Sequence, residues 1–146
     1  MVHKGGRKCI YLTICRIKHI MVLHILRMMN KYNIEFYVKA NGEEPAKEFI
    51  LSLDAKMKAK FLKILDLLEI NGPLIGLPYS KYLQDGIFEI RVKQSTNITR
   101  VLYFFTTKRG IIITNGFIKK TQRTPTSEIE LAKRYRADYE RRCSNE

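Results

Sequence analysis

Apolar and polar residues alternate from position 34 to 39, and this period of two predicts a β-strand near the start of the main domain. Pro45 then suits the first turn of a short helix, and Asp54 suits the N-cap of a second helix. The apolar residues of the second helix fall on one face: Met57, Phe61, Ile64, Leu65 and Leu68. Gly72 followed by Pro73 predicts its end.

Three strand-like runs follow, at residues 87–93, 98–106 and 111–119. A loop through residues 77–81 leads into them. Because the connections between the runs are short, we expect antiparallel pairing. The aromatic residues at 103–105 are expected to lie in the core.

The last segment carries start signals for a helix, Thr124-Pro125 and Ser127-x-x-Glu130. The predicted order of elements is therefore β-α-α-β-β-β-α. The fold class that we predict is α+β, with a small antiparallel sheet flanked by helices and an extra N-terminal helix.

Residues 1–30, the leader, differ from the rest of the chain, because they contain six basic residues and no acidic ones. Charged or polar residues interrupt the apolar run, so it does not predict a membrane span. Apolar residues recur at helical spacing: Ile10, Ile14, Ile17, Met21 and Met28. Such a helix packs on its own domain, lies on a partner, or extends a shorter product starting at Met28 or Met29. We treat the leader as a basic hydrophobic extension and residues 31–146 as one domain.

The chain has 146 residues, a formal net charge of +13 and a pI near 9.8. This charge predicts a polyanionic partner, for which nucleic acid, ribosomes and anionic membranes are all candidates. Cys9, Cys15 and Cys143 form no metal-binding or redox motif. We interpret them as reduced thiols of a cytoplasmic protein.

The basic residues are concentrated where no acid offsets them. Between Glu89 and Glu128 there is no acidic residue. The same segment contains eight cations: Arg91, Lys93, Arg100, Lys108, Arg109, Lys119, Lys120 and Arg123. Since the segment is predicted to form strands, these cations are held on a rigid surface suited to binding a polyanion.

The first hairpin of this segment places two arginines opposite each other. If residues 94–97 form the turn, Lys93 pairs with Ile98 and Arg91 lies across from Arg100. Facing like charges are destabilising, so they require a carboxylate or an anion nearby. Glu89 offsets one of them, and a bound phosphate would satisfy both.

The second hairpin adds a lysine to this pair. Pairing Thr106 with Ile111 puts Phe117 beside Arg100 and Lys119 near Ile98. A slip of one residue would bring Lys120 in place of Lys119, because alternate side chains change face.

The residue types limit the chemistry of this cluster. Histidine is absent from residue 25 onward, and no carboxylate cluster suggests a metal site, so we predict no metal and no cofactor. RNA supplies its own nucleophile, the 2′-hydroxyl, whereas DNA lacks it. Arginine stabilises charge on a phosphate, and a crowded lysine can move protons. The simpler alternative is a solvated basic face that serves only solubility.

Three stretches carry a family resemblance: KYLQDGIFEIR at 81–91, RVLYFF at 100–105 and GFIKKTQRTP at 116–125. Together they resemble the RelE/ParE toxin superfamily, in its HigB-like, phage-related branch, over about residues 32–142. The resemblance implies a bacterial, cytoplasmic toxin of a type II toxin–antitoxin system. It also implies a metal-independent endoribonuclease that cleaves messenger RNA, usually in the ribosomal decoding site, and thereby inhibits translation.

The resemblance also assigns roles to residues. Arg91 would orient the phosphate, Arg100 would stabilise the transition state, and Lys119 or Lys120 would contact RNA or transfer protons. Some HigB-like proteins use histidines, so the proton carriers stay open. The residues expected to bind RNA are Lys81, Tyr82, Lys93 and Arg123, of which Tyr82, with Tyr79, would lie in a loop and contact a base. The implied partner is a HigA-like helix-turn-helix antitoxin, which with the toxin would bind operator DNA.

Two other functions remain open. One is ParE-like, non-catalytic inhibition of DNA gyrase, and the other is a plain RNA-binding or structural domain. If the leader is ordered, it would occupy the antitoxin surface, and removal of residues 1–27 without any change in antitoxin affinity would exclude this. For the nuclease we expect Arg100→Ala to abolish cleavage and leave the fold intact, because a surface arginine at a strand end adds little stability.

Overall fold

The computed structural model describes residues 20–22, 25 and 31–144. The chain divides into two compact units, Met1–Lys31 and Tyr32–Glu146. In the first unit, residues 20–22 and 25 are helical, and the rest of the predicted leader helix lies outside the described residues. Among the described residues, no helix combines the length and apolar character that a membrane crossing needs.

The second unit contains five strands and three α-helices. The strands are β1 (Asn33–Phe36), β2 (Ser80–Gln84), β3 (Ile87–Gln94), β4 (Asn97–Phe105) and β5 (Gly110–Ile118). The helices are α1 (Pro45–Ser52), α2 (Ala55–Asn71) and α3 (Thr126–Cys143), with a short 3₁₀ turn at Gly72–Leu74 after α2. The α+β class is confirmed.

The five strands form one sheet in the order β1-β5-β4-β3-β2. β2 to β5 pair antiparallel, as predicted for the three runs, but β1 runs parallel to β5 with Ile34 opposite Ile111. The expectation of a purely antiparallel sheet was therefore wrong. Two helices and three strands lie between β1 and β5 along the chain, and a connection of that length allows parallel pairing that a short turn does not.

The sequence prediction also missed β2, since residues 77–81 were expected to form a loop. β2 pairs with β3 through an Asp85-Gly86 turn in which both residues have positive φ, 50° and 76°. This is the turn chemistry of a two-residue hairpin. β2 is short, lies at the edge of the sheet and exposes Lys81 and Tyr82, so it has no clear apolar alternation.

Each face of the sheet carries its own core. α1 and α2 cover one face, where the fully buried residues include Phe61, Leu68, Ile90, Val101, Tyr103 and Ile113. α3 covers part of the other face, packing Ile129 and Ala132 against Ile87, Leu102, Phe104 and Ile112. The predicted core positions are confirmed for Met57, Phe61, Ile64, Leu68, Tyr103 and Phe104, whereas Leu65 and Phe105 are only partly buried.

The helix ends follow most of the local signals, and Pro45 lies in the first turn of α1 as predicted. Asp54 caps α2 by accepting a hydrogen bond from the Met57 amide at 2.9 Å. Gly72 ends α2 with φ of 51°, and a Cβ there would overlap the ring of Tyr32. The Ser127-x-x-Glu130 signal was wrong, because α3 begins at Thr126 after Pro125 and has no side-chain cap.

Candidate nucleic-acid interface

The face of the sheet that carries α3 has two halves. The covered half lies beneath α3 and consists of Ile87, Leu102, Phe104 and Ile112. The open half lies farther along the same strands and consists of Glu89, Arg91, Arg100 and Lys119. Side chains of a strand alternate between faces, so residues two apart, such as Arg100 and Leu102, belong to the same face.

The predicted pairing of the two arginines is confirmed. Arg91 lies opposite Arg100, and Lys93 lies opposite Ile98, because only Ser95 and Thr96 form the turn between β3 and β4. Ser95 has φ of 52°, which a tight hairpin requires.

The pairing of β4 with β5 was predicted correctly at one end and wrongly at the other. At the turn, Phe105 rather than Thr106 lies opposite Ile111. A β-bulge between Leu102 and Tyr103 adds one residue to β5 and shifts the register. Beyond the bulge, Arg100 lies beside Phe117 as expected, and the Lys119 amide donates to the Ile98 carbonyl at 2.7 Å.

Buried polar groups hold this bulge. The Thr114 hydroxyl donates to the Leu102 carbonyl at 3.1 Å, and the Asn115 amide donates to the Glu128 carboxylate at 2.8 Å. Glu128 lies in the first turn of α3, so the bulge also fixes where α3 starts. The bulge thus places both Lys119 and α3 relative to the arginines.

The arginines and lysines meet at an open pocket of about 360 Å³. Its lining, which we call the cationic pocket, consists of Arg91, Ile98, Arg100, Lys119, Lys120, Thr121 and Gln122. All four residues predicted to act in catalysis therefore border one pocket. Lys108 and Arg109, from the same basic segment, lie in the β4–β5 turn and do not line it.

Glu89 lies behind the two arginines and is only 2% exposed. Its Oε1 is 3.6 Å from Arg91 Nε and 3.5 Å from Arg100 Nε. Its Oε2 accepts a hydrogen bond from the Thr124 hydroxyl at 2.5 Å. One carboxylate thus faces two guanidinium groups, which leaves the cluster with a net positive charge for an anion.

The environment of the pocket lowers the pKa of two of its cations, Arg100 and Lys119. Burial lowers the pKa of Arg100, and the neighbouring charge of Arg91 lowers it further, while Glu89 opposes both effects. Burial, followed by the charge of Arg100, lowers the pKa of Lys119 below its ordinary value of 10.5. Lys119 is therefore better suited to exchanging a proton than a fully solvated lysine.

Arg100 is not the surface residue that the sequence suggested. It is 5% exposed, and its Nη1 donates to the Thr99 carbonyl at 3.0 Å. The premise that Arg100 is a surface residue was therefore wrong. Its removal would leave the buried Glu89 with one partner fewer, so we now expect Arg100→Ala to lower stability. Arg91, with a side chain that is 33% exposed, is the more accessible of the pair.

The residues predicted to bind RNA do not form one group. Lys81 lies directly across from Glu89 and therefore on the open half. Its positive charge contributes to lowering the pKa of Lys119. Lys93 is exposed at the end of β3 next to Ile98, and Arg123 is exposed after β5. Tyr82 lies on β2 rather than in a loop, and its ring packs against Phe88 on the opposite face of the sheet from Lys81.

Sequence reasoning missed several pocket residues. Thr121 and Gln122 line the pocket, and Thr124 binds Glu89, although none of the three has charge. The resemblance did include them within its 116–125 stretch, which was the available signal. Among the described residues, no three His, Cys, Asp or Glu side chains lie close enough together to hold a metal ion.

Comparisons with known proteins identify a family for this chain. The family model of phage-derived Gp49-like proteins matches residues 48–137, which is more than half of the chain and includes the whole cationic pocket. No curated protein matches the chain. One similar solved structure is the archaeal RelE–RelB complex from Pyrococcus horikoshii OT3. The match covers 62% of this chain and 97% of the chain in that structure, with 17% sequence identity and a TM-score of 0.43.

Proposed function

Because this chain belongs to the phage-derived Gp49-like protein family, we propose that it is the toxin of a type II toxin–antitoxin pair and cleaves messenger RNA. The observation that carries the proposal is the convergence of Arg91, Arg100, Lys119 and Lys120 on one open pocket. A cluster of cations with a net positive charge suits a phosphodiester, and its residue types suit cleavage that needs no metal.

In the proposed reaction, the 2′-oxygen of RNA attacks the adjacent phosphorus while the bond from phosphorus to the 5′-oxygen breaks. The 2′-hydroxyl loses its proton and the leaving 5′-oxygen gains one. The products are a 2′,3′-cyclic phosphate and a 5′-hydroxyl. The protein therefore has to bend the backbone in line, stabilise charge on the phosphate and move protons.

The pocket residues divide these tasks. Arg91 binds and orients the phosphate, and Arg100 stabilises the additional charge of the transition state. Lys119 donates the proton to the leaving 5′-oxygen, since its lowered pKa eases proton release. Lys120, which is exposed at the pocket rim, contacts the RNA backbone.

The surrounding surface extends the binding site. Lys81, Lys93 and Arg123 contact phosphates of the RNA or of the ribosome on either side of the pocket. Cleavage takes place in the cytoplasm on translating ribosomes. A HigA-like antitoxin neutralises the toxin, and the pair binds operator DNA.

The proposal is tested by adding purified protein to a translation reaction with a defined message and, separately, to a DNA gyrase supercoiling assay. The expected result is a message cut at discrete positions and unaffected gyrase. Inhibited gyrase with intact message would indicate a ParE-like activity, and no effect in either assay would indicate a binding domain. The matched variants are Arg91→Ala, which should lose cleavage, and Arg134→Ala, which removes an exposed arginine of α3 outside the pocket.

A further inference from the structure

We propose that Glu89 is a positioning residue that fixes the two walls of the cationic pocket relative to each other. This inference rests on the proposed function. Strands β3 and β4 provide one wall with Arg91 and Arg100, and residues 119–122, at the start of the segment 119–125, provide the other. Glu89 contacts the first wall and the segment that carries the second, because one carboxylate oxygen faces the arginines and the other accepts a hydrogen bond from Thr124.

The contact with the arginines has an unusual geometry. Glu89 Oε1 lies almost equally far from the two Nε atoms, at 3.6 and 3.5 Å. Both Nε atoms are buried and have no hydrogen-bond partner among the described residues. The carboxylate therefore attracts both guanidinium groups electrostatically, and the Nε edge of each group faces it. The donors directed to an anion are the N–H groups of the terminal nitrogens, apart from the one that Arg100 Nη1 donates to the Thr99 carbonyl.

The contact with Thr124 concerns the other wall. Thr124 lies two residues after Gln122, the last of the pocket-lining residues Lys119 to Gln122, and residues 119–125 belong to no helix or strand. A part-buried, charge-assisted hydrogen bond at 2.5 Å ties this irregular segment to the rigid sheet. Without it, Lys119 would keep its backbone bond to Ile98, but the residues after it would lose their anchor to the sheet.

A positioning role predicts different effects on cleavage and on binding. Binding of RNA depends on many phosphate contacts and on net charge, whereas the chemical step depends on the orientation of a few groups. Loss of the Glu89 carboxylate makes the pocket more positive. It also removes the contacts that fix the orientation of the two arginines and of residues 119–125. We therefore expect kcat to fall while the affinity for RNA is kept or increases.

The test uses the full chain with Glu89→Gln, and Glu130→Gln as a control that removes an exposed carboxylate of α3. We expect Glu89→Gln to lower kcat about 100-fold, as a misplacement near 1 Å can. Its affinity for an RNA made uncleavable by 2′-O-methyl groups should not weaken. Unchanged kcat, or a loss confined to RNA affinity, would overturn the proposal.

A second readout does not depend on cleavage. In ¹⁵N spectra of the arginine side chains, the Nε–H signals of Arg91 and Arg100 should both shift in Glu89→Gln and stay in place in Glu130→Gln. Unchanged Nε–H chemical shifts of Arg91 and Arg100 in Glu89→Gln would overturn the proposal. If the wild-type protein cuts no message, the proposed function fails, and these spectra still report on the contact.

Thr124 provides a milder variant if Glu89→Gln does not fold. Thr124→Val removes the hydroxyl at almost constant volume, and we expect kcat to fall about tenfold, the loss expected for a hydrogen bond to a charged group. Thr124→Ser keeps the hydroxyl and should restore the rate. Equal rates for the valine and serine variants would contradict a role for this bond.

Discussion

The two halves of the α3-facing side of the sheet are built on the same strands and yet differ completely in chemistry. On β4, Leu102 and Phe104 lie in the covered half and are fully buried among apolar side chains. Arg100, two residues earlier on the same face, is almost as buried but lies against Glu89 and Arg91. The covered half holds α3 on the sheet, and the open half carries charge at the edge of a pocket.

This difference shows what the fold contributes to the site. A buried arginine pair on its own is unfavourable, because desolvation and like charges both oppose it. The apolar packing of the covered half supplies the stability that allows the open half to keep this arrangement. Substitutions in the two halves should therefore differ in their effect on cleavage: those in the open half should reduce it, and those in the covered half should reduce stability and leave the cleavage rate of the folded protein unchanged.

The largest expected effect is that of Arg100→Ala on cleavage. We expect kcat to fall about 1000-fold, the upper range for losing one donor to a transition-state oxygen. The free energy of unfolding should also fall, by about 2 kcal/mol, which is less than for a buried carboxylate left unpaired, because Glu89 loses Arg100 but keeps Arg91 and Thr124. Single-turnover cleavage and urea unfolding of the same preparation measure both quantities, and Arg134→Ala is the control. Full cleavage by Arg100→Ala would remove Arg100 from the site.

The covered half should show the reverse pattern with Ile112→Ala. Ile112 is 1% exposed and lies beneath α3, so its truncation should lower the free energy of unfolding by about 3 kcal/mol. Below its unfolding transition, the variant should cleave at the wild-type rate. A large loss of kcat in folded Ile112→Ala would show that the two halves are not independent.

A smaller effect should appear in the pH dependence of cleavage. The pKa of Lys119 is lowered mainly by burial and then by Arg100, so Lys119 loses its proton at a pH below its ordinary 10.5. As a proton donor it is active below its pKa, and kcat/KM should fall as the pH rises through that value. Lys119→Arg should lower the rate and remove this alkaline limb. A limb unchanged in Lys119→Arg would assign it to another group.

The smallest effect should come from a polar contact at the other end of α3. The Tyr37 hydroxyl donates to Asp138 at 2.6 Å, and burial with this bond raises the pKa of Tyr37 from 10.0 to about 12. Between these values the unfolded chain releases a proton that the folded protein keeps, so stability falls as the pH rises. Tyr37→Phe should lose about 1 kcal/mol at neutral pH and weaken this decline. Urea unfolding at neutral pH and at about pH 11 measures both, and an unchanged decline would contradict the assignment.

The sequence predicted the site better than it predicted the sheet. The opposition of Arg91 and Arg100 follows from the length of one hairpin turn, which is local information. The predicted position of Lys119 was correct although the predicted turn of the second hairpin was not. The turn was misplaced by one residue, and the extra residue of the bulge, Thr114, restores the predicted register beyond it. A bulge held by buried side-chain bonds has no local signal in the residue pattern.

Other features depend on contacts between distant residues. β1 pairs with β5 across more than half of the domain, and no periodicity indicates that partner or its parallel direction. The burial of Glu89 beside Thr124 likewise joins residues that are 35 positions apart. The leader prediction stays untested, because most of it lies outside the described residues.

The main claim is that RNA supplies its own nucleophile, the 2′-hydroxyl, which attacks a phosphate bound by Arg91, Arg100 and Lys119. The direct measurement is end-group analysis of a message cleaved on translating ribosomes, together with a message carrying a single 2′-deoxy substitution at the cleaved nucleotide. We predict a 5′-hydroxyl and a 2′,3′-cyclic phosphate, and no cleavage at the substituted position. A 5′-phosphate, or undiminished cleavage at the 2′-deoxy nucleotide, would contradict the account.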